Sequence, residues 1–443
     1  MYIDTLIEKI VGKSFEIDCH DIEVHGTRDH CPPLYKGPGA ISAQKRGHIS
    51  FKLYNQIQIN PKVLISLNKT EDQQPIRIFA KDYNGHSWVG GWANYDTRFI
   101  FDNIIKGHFN QLSIRIEKHP DDSTKNTTEI VFDEILKLPY TQKGEQKRYS
   151  AGKQIFYKIW SDRHEMNFSG SKISIFQSSD EKRTHITAEH RDGFGPPYCE
   201  TWLSEALQFI TGCQIWPRVS VRHFEKDGLV FIRDYPFSTR SGMPSPLCGL
   251  RESSVLWNMY ATYLLHCEKH QQFEILKLTI ILSEVIIAST GTVQAFVLSL
   301  VVCIENMVAQ LYNDLNIHPI DNETLNSLRN HIKLWDGEYS VKERALGLIS
   351  MLKSKGIKNA LRKLISDGVI EKRHLQAWSS MRPFITHGGL IEYQTDDEWW
   401  KTRNILISMV YRLAYRIIGY KGKIIDHDDS DINLKDFNWS QNQ

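Results

Sequence analysis

Near residues 236–249 the chain changes its hydrophobic period, and no other feature constrains the fold as much. Upstream, Ile49, Phe51 and Leu53 alternate, followed by Ile57 and Ile59, which is the period of a half-buried strand. Downstream, Val293, Val297, Leu300, Ile304, Met307 and Leu311 recur at steps of three and four, so they line one face of a helix. The segment between, Pro-Phe-Ser-Thr-Arg-Ser-Gly-Met-Pro-Ser-Pro, carries the Pro, Gly and Ser punctuation of an exposed linker. The expected class is a multidomain α+β chain, with a β-rich N-terminal region followed by an all-α helical bundle.

Local signals divide the chain further. Two apolar runs over residues 75–92 enclose Asn84-Gly85, the pair that best tolerates the positive φ angles of a two-residue hairpin turn. Residues 112–117 and 129–132 flank a polar loop and predict a second hairpin. These place a β-rich domain at residues 1–145. An α+β unit follows at 146–237, either separate or part of the first. It has a strand over 171–177 and a helix over 200–211, carrying Leu203, Leu207 and Ile210 with Gly212 as its C-cap. A hairpin turning at Asp227-Gly228 completes it. The helical region runs over 250–425. In its last helix Leu406, Met409, Leu413 and Ile417 form the apolar stripe, Thr395 and Glu398 form a capping box, and Gly419 is the stop. The acidic tail at 426–443, with Asp426 and Asp431 in its aspartate run, is expected to be solvated.

A chain of 443 residues has ample length for a buried core, and its net charge of +2 gives no global field for nucleic acid. Any RNA contact must come from a local patch. The N-terminus mixes charges into its apolar residues, unlike a signal peptide, and 7 cysteines without close pairing suit a reducing cytoplasm. Residues 285–303 lack charge and are long enough in principle to span a bilayer, but Ser289-Thr-Gly-Thr292 interrupts them. The expected form is a turn at Gly291 between two core helices, with no membrane partner. Gly12-Lys13-Ser14 is not a phosphate loop, because Ile7 stands where the leading glycine belongs.

Two groups of residues bear on chemistry. Cys19, His20, His25, His30 and Cys31 gather soft ligands, but at no familiar zinc spacing, so loop residues are the simpler reading and no metal is assigned. Arg382 and His387 form an Arg-x4-His pair within Met-Arg-Pro-Phe-Ile-Thr-His-Gly-Gly. Imidazole exchanges protons near neutrality, and guanidinium presents a planar charged fork to phosphate, so the pair suits cleavage of an RNA backbone. The bare pattern recurs at Arg218 and His223, and more loosely at Arg183 and His190, both in strand-like surroundings.

In context, Arg382-Pro-Phe-Ile-Thr-His387-Gly, followed by a last helix ending Arg416-Ile-Ile-Gly-Tyr-Lys-Gly422, resembles the C-terminal HEPN domain of ApeA-like bacterial abortive-infection proteins. The helix from Thr292, with Glu305 and Asn306 in its apolar stripe, is similar to the first long HEPN helix. The likeness covers roughly residues 250–425. It implies a HEPN bundle that dimerises and cuts RNA at a shared cleft, in anti-phage defence, with no cofactor. A phage-derived trigger acting at the N-terminal region is the further expectation. His387 would be general acid or base and Arg382 the phosphate clamp.

Glu305 is a carboxylate on an apolar helix, where it is costly to bury unpaired, and Arg382 is its expected partner. Lys358, Arg362, Lys363 and Arg373 form a basic segment suited to an RNA backbone, or else a solvated helix face. Pro383 is expected at a helix start, where proline fits. It stands where many HEPN nucleases carry a polar residue, often Asn. It therefore favours the rival reading, a non-catalytic HEPN protein that binds nucleotide or a partner as sensor or scaffold.

Overall fold

A computed structural model describes residues 3–11, 14–26, 32–43, 48–56, 76–96, 104–117, 126–150, 153–178, 183–190, 194–195, 197–234, 243–247, 252–315, 320–352, 356–386, 396–429 and 433–440. Two compact units result. One contains residues 1–204 and 215–238, and the other residues 205–214 and 239–443. Residues 1–145 and 146–237, which the sequence left open as one domain or two, fall in one unit apart from the short stretch 205–214.

The first unit opens with helix α1 (Ile3–Ile10) and strands β1 (Phe15–His25), β2 (Tyr35–Ala43), β3 (Ile49–Tyr54), β4 (Ile76–Asp82), β5 (Ser87–Asp96) and β6 (Ile104–Phe109). All pairings are antiparallel, and the order β4-β1-β2-β3-β6-β5 returns to β4, so these six strands close on themselves. Closure removes the unpaired edges that an open sheet would leave. Ile22, Val24, Ile41, Phe51, Leu53, Ile78 and Phe109 fill the interior, and α1 adds Leu6, Ile7 and Ile10 to the same cluster.

Two local devices shape this barrel. β1 bulges between Cys19 and Ile22, opposite the Gly37-Pro38-Gly39 stretch of β2, so the proline falls where no ladder donor is needed. At Gly39 a Cβ would lie 2.0 Å from the Lys52 carbonyl oxygen, which only glycine avoids. The β4–β5 turn is where the sequence places it, with Gly85 at φ 84°. There Asp82 accepts from the backbone N–H groups of Asn84 and His86, each at 2.9 Å, and from the Trp88 indole at 3.2 Å. Burial pushes the Asp82 carboxyl up, but these donors outweigh it and hold it below the usual range.

The sheet continues from β5 through β7 (Gln111–Glu117), β8 (Thr127–Phe132), β9 (Gln142–Ser150), β10 (Lys153–Phe168), β11 (Ser171–Ser178), β12 (Arg183–Glu189), β13 (Val219–His223) and β14 (Asp227–Arg233), with helix α2 (Cys199–Thr211) preceding β13. Its spatial order is β7-β14-β13-β8-β12-β11-β10-β9. The expected hairpin between residues 112–117 and 129–132 does not form. The β13–β14 hairpin inserts between them, pairing Val230 with Ile114 and Ser220 with Ile130. Val219, Val221, Val230 and Ile232 are all fully buried in that central place. Its turn lies at residues 224–226, and Asp227 and Gly228 already belong to β14.

The second unit is helical beyond the linker: α3 (Ser253–Lys269), α4 (Lys277–Ala288), α5 (Val293–Leu311), α6 (Asn322–Leu334), α7 (Tyr339–Leu352), α8 (Ile357–Ser366), α9 (Lys372–Thr386) and α10 (Asp396–Ile418). α5 lies against α4, α8, α9 and α10, so its expected stripe becomes the core. Val297, Leu300, Ile304 and Met307 are fully buried opposite Leu406, Met409 and Leu413 of α10, and each such side chain contributes about 1.5–3 kcal/mol. α5 is also the one described helix long and apolar enough to cross a membrane. Thr292 caps it, accepting from the Ala295 N–H at 3.2 Å, and residues 289–292 form the expected turn from α4. Gly419, at φ 77°, ends α10 as predicted. The capping threonine expected at 395 lies outside the described residues.

The tail differs from expectation. β15 (Gly422–Ile424) and β16 (Lys435–Phe437) form a small hairpin, and Asp426, Phe437 and Trp439 are buried rather than solvated. Two arginines that would be costly to bury alone draw the aspartates inward. Pro383 also departs from expectation: it sits inside α9, in its last turn, not at a helix start.

Candidate functional site

Glu305 lies on α5, one turn beyond the exposed Val302 and beside the fully buried Ile304. Arg382 lies in the last turn but one of α9, the helix that runs up to His387. The two meet as the residue chemistry predicted: the Arg382 Nε donates to Glu305 Oε1 at 2.7 Å. Their side chains are 43% and 29% exposed, so the pair lies at the surface, open to a ligand. The Arg382 guanidinium lies 5.4 Å from the ring centre of Trp378, one turn earlier on α9. Tyr312, two turns beyond Glu305 on α5, has its hydroxyl pushed up by burial and by the Glu305 charge. A carboxylate, a guanidinium and the Trp378 ring thus meet at one spot on the helical unit. Sequence reasoning missed Trp378 and Tyr312, although the spacings Trp378 to Arg382 and Glu305 to Tyr312 already place each on its neighbour's face. His387 lies outside the described residues.

The basic residues separate into two kinds. Lys358 and Arg362 are exposed on one face of α8, and Lys363 bonds to Asp367 at 3.2 Å. Arg373 is different. It pairs with Glu371 at 3.0 Å, Asp426 at 3.0 Å and Asp429 at 3.5 Å, and also with Asp428. Its charge is used within the fold, which removes it from the set suited to RNA phosphates.

That network centres on the fork of Arg412 over Asp426, joined by Lys435 at 3.3 Å. Burial pushes the Asp426 carboxyl up, but Arg412 outweighs it and holds it at about 2, while burial raises Asp428. His374, Asp426 and Asp428 bring one donor atom each within 4.8 Å of one another, a spacing a cation could use. The chemistry does not favour it. The His374 Nδ1 accepts from the Glu371 N–H at 2.9 Å, so its proton sits on Nε2, and three cationic side chains already satisfy the carboxylates.

In the first unit, Cys19 is buried while His20 is exposed on the opposite face of β1, so the two cannot converge on one ion. Burial pushes the Cys19 thiol up to about 12. His25 pairs with Glu23 at 3.0 Å, and His30 and Cys31 lie outside the described residues. The arginines of the other two matches serve the fold: Arg218, of the second Arg-x4-His, donates to the Arg233 carbonyl, and Arg183, of the looser six-residue spacing, to that of Val11 at 2.6 Å.

Comparison with family models, with curated proteins and with solved structures returns no match.

Proposed function

We propose that the helical unit is a HEPN-type endoribonuclease acting in anti-phage defence. The observation that carries this reading is the Glu305–Arg382 bond, which ties the long apolar helix to the helix leading into the Arg-x4-His element. In this reading His387 takes the proton of an RNA 2′-hydroxyl or returns one to the leaving 5′-oxygen. The 2′-oxygen attacks the adjacent phosphorus, the bond to the 5′-oxygen breaks, and a 2′,3′-cyclic phosphate remains. Arg382 stabilises the charge on the phosphate oxygens, with Glu305 holding its guanidinium in place. The RNA supplies its own nucleophile, so the chemistry needs no metal ion. Lys358 and Arg362 would track the backbone beside the cleft. A homodimer would bring two such pairs together, the β-rich unit would respond to a phage-derived trigger, and the protein would act in the cytoplasm.

A second reading, a non-catalytic HEPN sensor or scaffold, draws on one observation: the Arg382 charge is already met by Glu305, and the nonpolar Pro383 follows it inside the helix. Cleavage of total and transfer RNA by the purified chain in EDTA, beside His387→Ala and Arg382→Ala, separates the two. Cleavage by the wild type alone supports the nuclease. Equal cleavage by all three removes the assignment. If none cuts RNA, even with lysate from phage-infected cells, the binder is left.

A further inference from the structure

The α3–α4 corner of the helical unit encloses a cavity of about 570 Å³, lined by His266 and His270 of α3, by Phe273 and Ile275 of the connecting loop, and further by Leu278, Leu311 and Ile417. This volume lies within the range of ~300–1,000 Å³ usual for small-ligand clefts. Most of the lining is apolar, and Phe273, Ile275 and Ile280 leave 52%, 40% and 49% of their surface exposed around the mouth. The polar lining comes from His266, His270, Lys277, Gln310 and Asp314. Lys277 is exposed and forms no ion pair among the described residues. Asp314, the carboxylate among the described lining residues, faces Arg416 at 3.8 Å. The enclosed Nε2 of Gln310, which also lines the cavity, has no hydrogen-bond partner among the described residues. An amide N–H left without an acceptor in such a place is costly. The His266 and His270 rings meet edge to face at 4.6 Å, and burial lowers His266 to about 4, so this imidazole brings no second cation at neutral pH.

A cavity with apolar walls, an exposed ammonium at its rim and an N–H donor that has no acceptor among the described residues suits a ligand with a long apolar body and a single anionic acceptor. We infer that this cavity binds a small aliphatic carboxylic acid, its chain against Leu278, Leu311 and Ile417 and its carboxylate accepting from Gln310 beside Lys277. This goes beyond the nuclease reading and does not depend on it.

Titration calorimetry of the full chain with dodecanoate, below the concentration at which the acid self-associates, tests the assignment. Saturable one-to-one binding is expected, at least tenfold weaker for methyl dodecanoate, which keeps the chain and loses the charge. Lys277→Glu and Gln310→Leu should each weaken the acid at least tenfold while leaving the ester unchanged. Lys277 is exposed, so its substitution leaves folding intact, and the unliganded melting curve checks this. Equal binding of acid and ester, or no saturable binding, overturns the inference. So does a dimer that Ile280→Glu converts to monomer with no effect of the acid, which would give the face to a second copy of the chain.

Discussion

Arg412 holds Asp426 with both arms of its fork, Nε to Oδ1 at 2.7 Å and Nη2 to Oδ2 at 2.6 Å. The Asp426 side chain is fully enclosed and that of Arg412 is 8% exposed, so this is a buried pair rather than a surface one. Removing one partner leaves the other charged and desolvated, which costs about 3–5 kcal/mol. Asp426→Asn should therefore lower the Tm of the helical unit sharply. Asp436→Asn, in an exposed ion pair with Lys423, should change stability by less than about 0.5 kcal/mol. Denaturant melts of the two variants make the comparison.

Acid should undo the same network in two stages. His374 and His427 are lowered by burial to about 3 and about 4, so folding excludes protons that the unfolded chain binds, and stability falls as pH drops below ~6.5. Asp426, held at about 2, stabilises fully above ~3.8 and loses that contribution as pH falls towards 2. Chemical denaturation followed across that range should show both declines, and Asp426→Asn should lack the lower one.

Glu205 gives the opposite slope. Its side chain is fully buried, Oε2 has no hydrogen-bond partner among the described residues, and burial raises the carboxyl to about 8. The folded state keeps a proton that the unfolded chain releases above ~4.5, so the stabilisation is complete below that pH and lost as pH rises through 8. The loss is on the order of 5 kcal/mol. Glu205→Gln should flatten the curve between pH 5 and 8, a range set by that shift, and should be the more stable protein at the upper end.

Glu305→Ala should cost about 1 kcal/mol or less of stability, because the pair with Arg382 is partly exposed. Its effect on RNA cleavage should be larger, and in the same direction as Arg382→Ala. A double-mutant cycle read by cleavage rate would show coupling if Glu305 acts through Arg382. Additive losses would remove the positioning role.

Gly39→Ala tests the barrel. The new methyl group would meet the Lys52 carbonyl 2.0 Å away, and the backbone must separate β2 from β3 to admit it. A loss of about 3 kcal/mol or more is expected, against the usual 1–3 kcal/mol for overpacking.

Elements decided by neighbours along the chain were legible in advance. Asn84-Gly85 marked a turn, the spacing from Val297 to Leu311 marked a core helix, and Glu305 on an apolar helix called for a cation. What depended on distant partners was not. Nothing near residues 112–117 reveals that Asp227–Arg233 will pair there, because a strand's partner depends on cross-strand contacts with residues far away along the chain. Pro383 illustrates the same limit. Proline disfavours helix at the residue before it, yet Arg382 is helical and bound to Glu305, so a tertiary bond accompanies a conformation that local preference argues against. The tail was misjudged because an aspartate run reads as solvated until Arg373 and Arg412 are known to face it.

The grip of Arg412 on Asp426 also sets an order of events during translation. α10 leaves the ribosome before Asp426, Lys435 and Trp439 do, so for that interval Arg412 lacks its fork partner and Arg416 lacks the indole that later lies 4.1 Å away. Synthesis proceeds at about 5–20 residues per second, and the closing hairpin arrives within seconds. Until then the helical unit is a nascent chain without its last fastening, and a ribosome that stalls there would hold it unfinished.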